Sequence, residues 1–172
     1  MWQELFTYGL IVLFVLHELE EIIFLKPWLV KNASGIKARY PRIGQLAERQ
    51  MFELGRIGFT LIVVEELIVF CVLLFYSIQA DIPTLWVGVF IMLAIHWAVT
   101  VAQSIVLRRL IPGTVTAALG VVAAALLFRY VLPTGFDLLC GVGLFVVAMG
   151  NLLFMHWLVA KVGRLCHRSK ID

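Results

Sequence analysis

The sequence predicts an all-α integral membrane protein: one bundle of five transmembrane helices, N-terminus outside and C-terminus cytoplasmic, with an amphipathic helix lying at the cytoplasmic interface. Three observations predict it. Of 172 residues, 62% are hydrophobic and 15% charged, with a mean hydropathy of +0.99, whereas soluble domains run nearer ~45–50% apolar and ~25% charged. Five apolar runs each approach the ~20 residues that cross a bilayer. Lysine and arginine concentrate on alternate connections between those runs. The length suits a single domain, residues 1–172.

Taken in order, the spans lie at about 5–25, 57–79, 84–107, 114–132 and 136–160. The opening Met1-Trp2-Gln3-Glu4 lacks the basic region of a cleaved leader, so the first span is expected to persist in the mature chain. Each connection carries a proline (Pro27, Pro41, Pro83, Pro112, Pro133), a residue suited to a first helical turn or to a position just past a stop. The stretch 43–56 repeats Leu46, Ala47, Met51 and Leu54 at helical spacing among Glu48, Arg49 and Arg56, and reads as the basic interfacial helix. Span four holds no acid, imidazole or amide, only terminal threonines and small residues, and is expected to serve packing. Cys71, Cys140 and Cys166 follow no metal or disulfide spacing.

Orientation follows from the basic residues. Lys26, Lys31, Lys37, Arg39, Arg42, Arg49 and Arg56 follow span one, Arg108 and Arg109 follow span three, and Lys161, Arg164, Arg168 and Lys170 follow span five. The other side offers Arg129 beside Glu4, Asp81 and Asp137. This distribution predicts a multi-pass protein of the cytoplasmic (inner) membrane, facing lipid and not nucleic acid.

The chain is organised around His17-Glu18-Leu19-Glu20-Glu21, set inside the first apolar run. An acid at the centre of a membrane helix costs roughly 2.5–3.5 kcal/mol on insertion scales, so an intramembrane cluster is a functional-site hypothesis by default. On a helix His17, Glu20 and Glu21 stand at i, i+3 and i+4 and share a face, while Glu18 points about 100° away and is expected to be a bystander, as is His167 of the tail. Glu65 and Glu66 lie about 13 Å in from Arg56, and His17 about 13 Å from Lys26, at 1.5 Å per residue. His96 on span three and His156 on span five complete a set at one depth, with a faint internal echo in His96-Trp97-Ala98-Val99 and His156-Trp157-Leu158-Val159.

The His-X-X-Glu-Glu signature at His17, Glu20 and Glu21 in a short multispanning chain resembles the HXXEE domain family of small membrane proteins. The resemblance implies a shared role for those three residues and names no activity. From the residues themselves, the expected metal ligands are His17, Glu20, Glu21, Glu65, Glu66, His96 and His156. Imidazole with carboxylate and no thiolate suits a divalent metal such as zinc or iron. Seven donors exceed a four-coordinate zinc site, so two ions fit better than one. Vicinal Glu65 and Glu66 cannot both reach one point, so one is expected to ligate and the other to serve as general base. The expected function is a metalloenzyme acting on a lipid-like substrate, by hydrolysis or transfer with zinc or by oxidation with iron. The alternative is proton or divalent-cation translocation through a buried Glu/His relay.

Overall fold

The computed structural model describes the backbone of residues 2–168 and all of their side chains except 2–3, 43, 46–56 and 163–168. Five helices make up the described chain: α1 (Trp2–Arg39), α2 (Pro41–Gln79), α3 (Pro83–Leu107), α4 (Thr114–Tyr130) and α5 (Gly135–Arg168). Three stretches are long and apolar enough to cross a membrane: Ile57–Gln79, Pro83–Leu107 and Gly135–Val162. α4, at 17 residues, is a shorter apolar helix.

The X-Pro steps explain two of the breaks. A residue before proline is pushed out of the α region, and Tyr40 (φ −134°, ψ 76°) and Ile82 (φ −109°, ψ 82°) are the points where α1 gives way to α2 and α2 to α3. Pro41 and Pro83 then open their helices at the first turn, where the missing N–H leaves nothing unpaired. α2 and α3 end at residues of positive φ, Asp81 (φ 50°) just past the Ala80 cap of α2 and Arg108 (φ 51°) at the cap of α3. After each, an amide reaches back to the last turn: Ile82 N–H to the Ser77 carbonyl at 2.9 Å, and Arg109 N–H to that of Ser104 at 3.1 Å.

Pro27 does not end a helix. α1 runs through it to Arg39, and the stretch expected as a separate interfacial helix at 43–56 is the first part of α2. A single proline forfeits its own N–H donor. Beyond it the helix is held tertiarily: Ile36 and Asn32 are buried, and Tyr40 Oη donates to the Val106 carbonyl at 3.0 Å. The result is a long α1–α2 hairpin. At 38 and 39 residues each helix is about 57 Å long, well over the roughly 30 Å of a bilayer core. The amphipathic side chains of 46–56 and the tail residue His167 lie outside the described side chains.

α3 is the hub. It packs on α2, α4 and α5, while α1 packs on α2 and α4. The core gathers Leu10 and Phe14 of α1, Phe70 and Leu74 of α2, Trp86, Phe90 and Trp97 of α3, and Ala117 and Leu127 of α4. Trp97 is fully buried against Gly120, where a Cβ would fall 2.2 Å from the indole. By contrast α5 leaves Leu139, Val146, Val147, Leu153, Phe154 and Trp157 exposed, a surface suited to an apolar solvent.

α5 starts at a reciprocal cap. Thr134 N–H donates to Asp137 Oδ2 at 2.8 Å, the Thr134 hydroxyl donates to the same oxygen at 2.7 Å, and Asp137 N–H donates to Thr134 Oγ1 at 3.2 Å. Asp137→Ala is expected to destabilise the fold by about 1 kcal/mol, read as a fall in melting temperature in detergent.

Candidate metal centre

The ionisable segment of α1 is sorted by helical angle. Relative to His17, Glu21 lies about 40° round the axis, Glu18 about 100° the same way and Glu20 about 60° the other way. His17 is fully buried, Glu18 is 4% exposed, and Glu20 and Glu21 are half-buried. Glu18 therefore belongs to the arc that runs from His17 through Glu21, and Glu20 to the opposite flank.

Each imidazole nitrogen of His17 has its own surroundings. Nδ1 lies 3.1 Å from the Gly113 carbonyl and 3.0 Å from Thr116 Oγ1. A carbonyl only accepts, which assigns the proton to Nδ1 and leaves the lone pair on Nε2. Nε2 lies 3.2 Å from His96 Nε2, with the two rings perpendicular at 87°, and 3.6 Å from Glu21 Oε1. His96 Nε2 lies 3.7 Å from Glu18 Oε1. That carboxylate oxygen is buried with no hydrogen-bond partner.

One ligand atom each from His17, Glu18 and His96 fall within 4.8 Å of one another. Tetrahedral zinc with bonds of about 2.0–2.2 Å sets its donors about 3.3–3.6 Å apart. The 3.2 Å and 3.7 Å separations sit within a few tenths of that. Two ring nitrogens face to face need a proton or a cation between them, and a buried carboxylate oxygen without a donor needs the same. The donor set fits a divalent cation.

The α3–α4 connection positions this centre. Ile111, Gly113 and Thr114 are buried, the Ile111 amide donates to Ser104 Oγ at 3.1 Å, and the hydroxyls of Ser104 and Thr114 are hydrogen-bonded to each other. The turn so folds back into the bundle and delivers Gly113 and Thr116 to His17. Thr116 Oγ1 in turn donates to Glu20 Oε2 at 2.7 Å. These two α4 contributors contradict the packing role expected of span four. They are short and uncharged, and the only sign of them in the sequence is the cluster Pro112-Gly113-Thr114-Val115-Thr116 at a helix start.

The seven expected ligands separate into groups. His17 and His96 meet directly, and Glu21 stands beside them. Glu20 joins through Thr116, and Glu66 lies within electrostatic range of Glu18 and Glu21. Glu65 instead accepts from Asn151 Nδ2 on α5, at 3.1 and 3.0 Å to its two oxygens. His156 Nδ1 donates to the Leu152 carbonyl of its own helix at 2.8 Å. The structure brings neither to the cluster, because a common depth does not fix the angle at which a side chain leaves its helix. Glu18, expected to be a bystander, stands in it.

A family model described as "Protein of unknown function with HXXEE motif" matches residues 8–128. The chain belongs to the HXXEE family. The match spans every residue of the cluster and its Gly113 and Thr116 supports, and stops short of α5 with Asn151 and His156. No curated protein matches the chain, and no solved structure does. In this HXXEE protein the motif has a geometric reading: its two glutamates divide the two nitrogens of its histidine, Glu20 behind Nδ1 through Thr116 and Glu21 beside Nε2. Such outer partners fix the tautomer and ring orientation of a metal-binding histidine. Thr116→Val, which keeps the shape and removes the hydroxyl, is expected to free the His17 ring from Glu20 at unchanged helical content, and so to weaken the binding of any divalent cation held at Nε2 roughly 10–100-fold, measured by competition with a chelating dye.

Proposed function

We propose that this chain is a membrane-embedded metalloprotein that holds one divalent cation, zinc or iron, between His17, His96 and Glu18, and that it hydrolyses or transfers a group of a lipid-like substrate. The observation that carries the reading is the pair of Nε2 atoms 3.2 Å apart with the partnerless Glu18 Oε1 beside them. One ion suits this set better than two, since the second group of expected donors, Glu65 and His156, is engaged elsewhere. Three protein ligands with a fourth position open is the arrangement of catalytic zinc sites. A cation there supplies Lewis-acid polarisation of a substrate oxygen. Glu21, 3.6 Å from His17 Nε2, and Glu66 are the carboxylates available as general base, a role that Glu65 loses to its bond with Asn151.

The proposed setting is the cytoplasmic membrane, with five spans, the N-terminus outside and the C-terminus inside. Two contacts support it: Tyr40 with Val106 and Asn32 with Arg109 bring the basic α1–α2 and α3–α4 connections to one end of the bundle. α1 carries its acids inward against α3 and α4, which lets a charged helix cross. The competing reading is a proton or cation relay, and its support is the same facing pair of imidazoles, whose gap could hold a proton.

Elemental analysis of protein purified without chelating resin decides between them. The expected result is near-stoichiometric metal, a melting temperature that falls on chelation and recovers on metal return, and full metal content in His156→Ala and Glu65→Gln. Metal-free protein whose stability ignores chelators, together with pH-driven flux in liposomes, would overturn the metal centre in favour of the relay.

A further inference from the structure

Outside the His/Glu cluster, a buried amide holds an exposed guanidinium in place. Arg109, in the α3–α4 connection, is exposed, and no described carboxylate pairs with it. Its Nη1 donates to Asn32 Oδ1 on α1. Asn32 is itself buried, and its Nδ2 donates to the Trp28 carbonyl at 2.7 Å, which turns the amide oxygen toward the arginine. The other terminal nitrogen, Nη2, lies over Gly35, 3.5 Å from where a Cβ would project. Surface arginines ordinarily wander among rotamers. This one is oriented by a buried amide, at the basic end of the bundle, beside the exposed Arg108.

We infer that Arg109, oriented by Asn32, binds the phosphate of an anionic lipid headgroup at the basic end of the bundle. Guanidinium is the side chain suited to forked recognition of phosphate oxygens, and the Asn32 bond uses one of its five donors and leaves the rest of the fork available. A lipid is favoured over a soluble phosphate by position. Asn32 follows the apolar turn Trp28-Leu29-Val30 of α1 by two residues, about 3 Å along the axis, so the guanidinium it holds sits at the end of the apolar stretch of α1, at headgroup level for chains lying against the exposed Val30, Val106 and Leu110. The site is independent of the metal reading, since no metal-centre side chain takes part.

The test uses full-length protein in nanodiscs and detergent, with phosphatidylglycerol as the probe, phosphatidylcholine as the neutral lipid and inorganic phosphate as the soluble competitor. Native mass spectrometry and titration of a fluorescent phosphatidylglycerol read binding. Wild type is expected to retain phosphatidylglycerol over phosphatidylcholine, whether or not metal has been chelated. Arg109→Ala should weaken that binding about tenfold, and Asn32→Ala, which changes no charge, should weaken it several-fold by freeing the guanidinium. Arg108→Ala should have the smaller effect. Metal content should be unchanged in all three variants, which separates this result from the fate of the metal centre. Equal losses from Arg108→Ala and Arg109→Ala with none from Asn32→Ala would mean diffuse attraction and overturn the site. Full displacement by millimolar inorganic phosphate would overturn the lipid assignment.

Discussion

Glu18→Gln is expected to empty the proposed metal centre and, in the same protein without metal, to raise stability. Both halves follow from one oxygen. Glu18 Oε1 is buried, lies 3.7 Å from His96 Nε2 and has no hydrogen-bond partner. In the proposed centre it is a ligand, and its loss should weaken binding by more than the roughly 100-fold that follows loss of an outer partner. His17→Ala and His96→Ala should do the same. Without a cation, the buried carboxyl must either carry an unpaired charge or take up a proton on folding, and a neutral amide of the same shape avoids either cost, about 1–3 kcal/mol. The histidine variants carry no such compensation, since each opens a cavity beside the other ring. The measurements are zinc content by elemental analysis and melting temperature with and without chelator. The crossing of the two Glu18→Gln curves is the diagnostic result. A variant that keeps wild-type zinc, or one destabilised equally in both conditions, would remove Glu18 from the centre.

That residue also marks how far sequence reasoning reaches. Apolar runs and X-Pro steps were enough to find five helices, because a break before proline is a local steric fact, seen at Tyr40 and Ile82. Pro27 broke the rule because burial of Asn32 and Ile36, a tertiary matter, holds the helix past it. Depth set His96 beside His17 but set His156 there equally, so it does not by itself select the pair that meets. Glu18 is not legible, because its angle from His17 on α1 says nothing of where the neighbouring helices lie. α3 instead approaches from the Glu18 side and α4 from the Glu20 side, so His17 sits at the edge of two contacts. Gly113 and Thr116 were illegible for a different reason. A backbone carbonyl leaves no mark in sequence, and a threonine at a helix start is more often a cap than an orienting partner.

Gly113→Ala is expected to cause the largest loss from outside the ligand set. The backbone at Gly113 has φ +89°, a conformation that costs an L-residue about 1–2 kcal/mol. An added Cβ would also fall 2.9 Å from His17 Cε1 and 3.2 Å from both Cγ and Oε1 of Glu21. Neither can retreat freely: His17 is fully buried and held at Nδ1 by the Gly113 carbonyl itself. Overpacking of this kind adds about 1–3 kcal/mol, so a total near 2–5 kcal/mol is expected, close to the whole stability of a small bundle. The methyl presses on the ring carbon between the two nitrogens, so the imidazole must turn and its Nε2 must leave the point it shares with His96. Gly120→Ala is the matched control. Its Cβ would strike the Trp97 indole at 2.2 Å, between α4 and α3 and not against α1, at a contact that holds no ligand atom. Both variants should lower the melting temperature, and the folded fraction of Gly120→Ala should bind zinc with wild-type affinity while that of Gly113→Ala should not. Equal zinc affinity in the two would mean that the α3–α4 turn supports the fold without orienting His17.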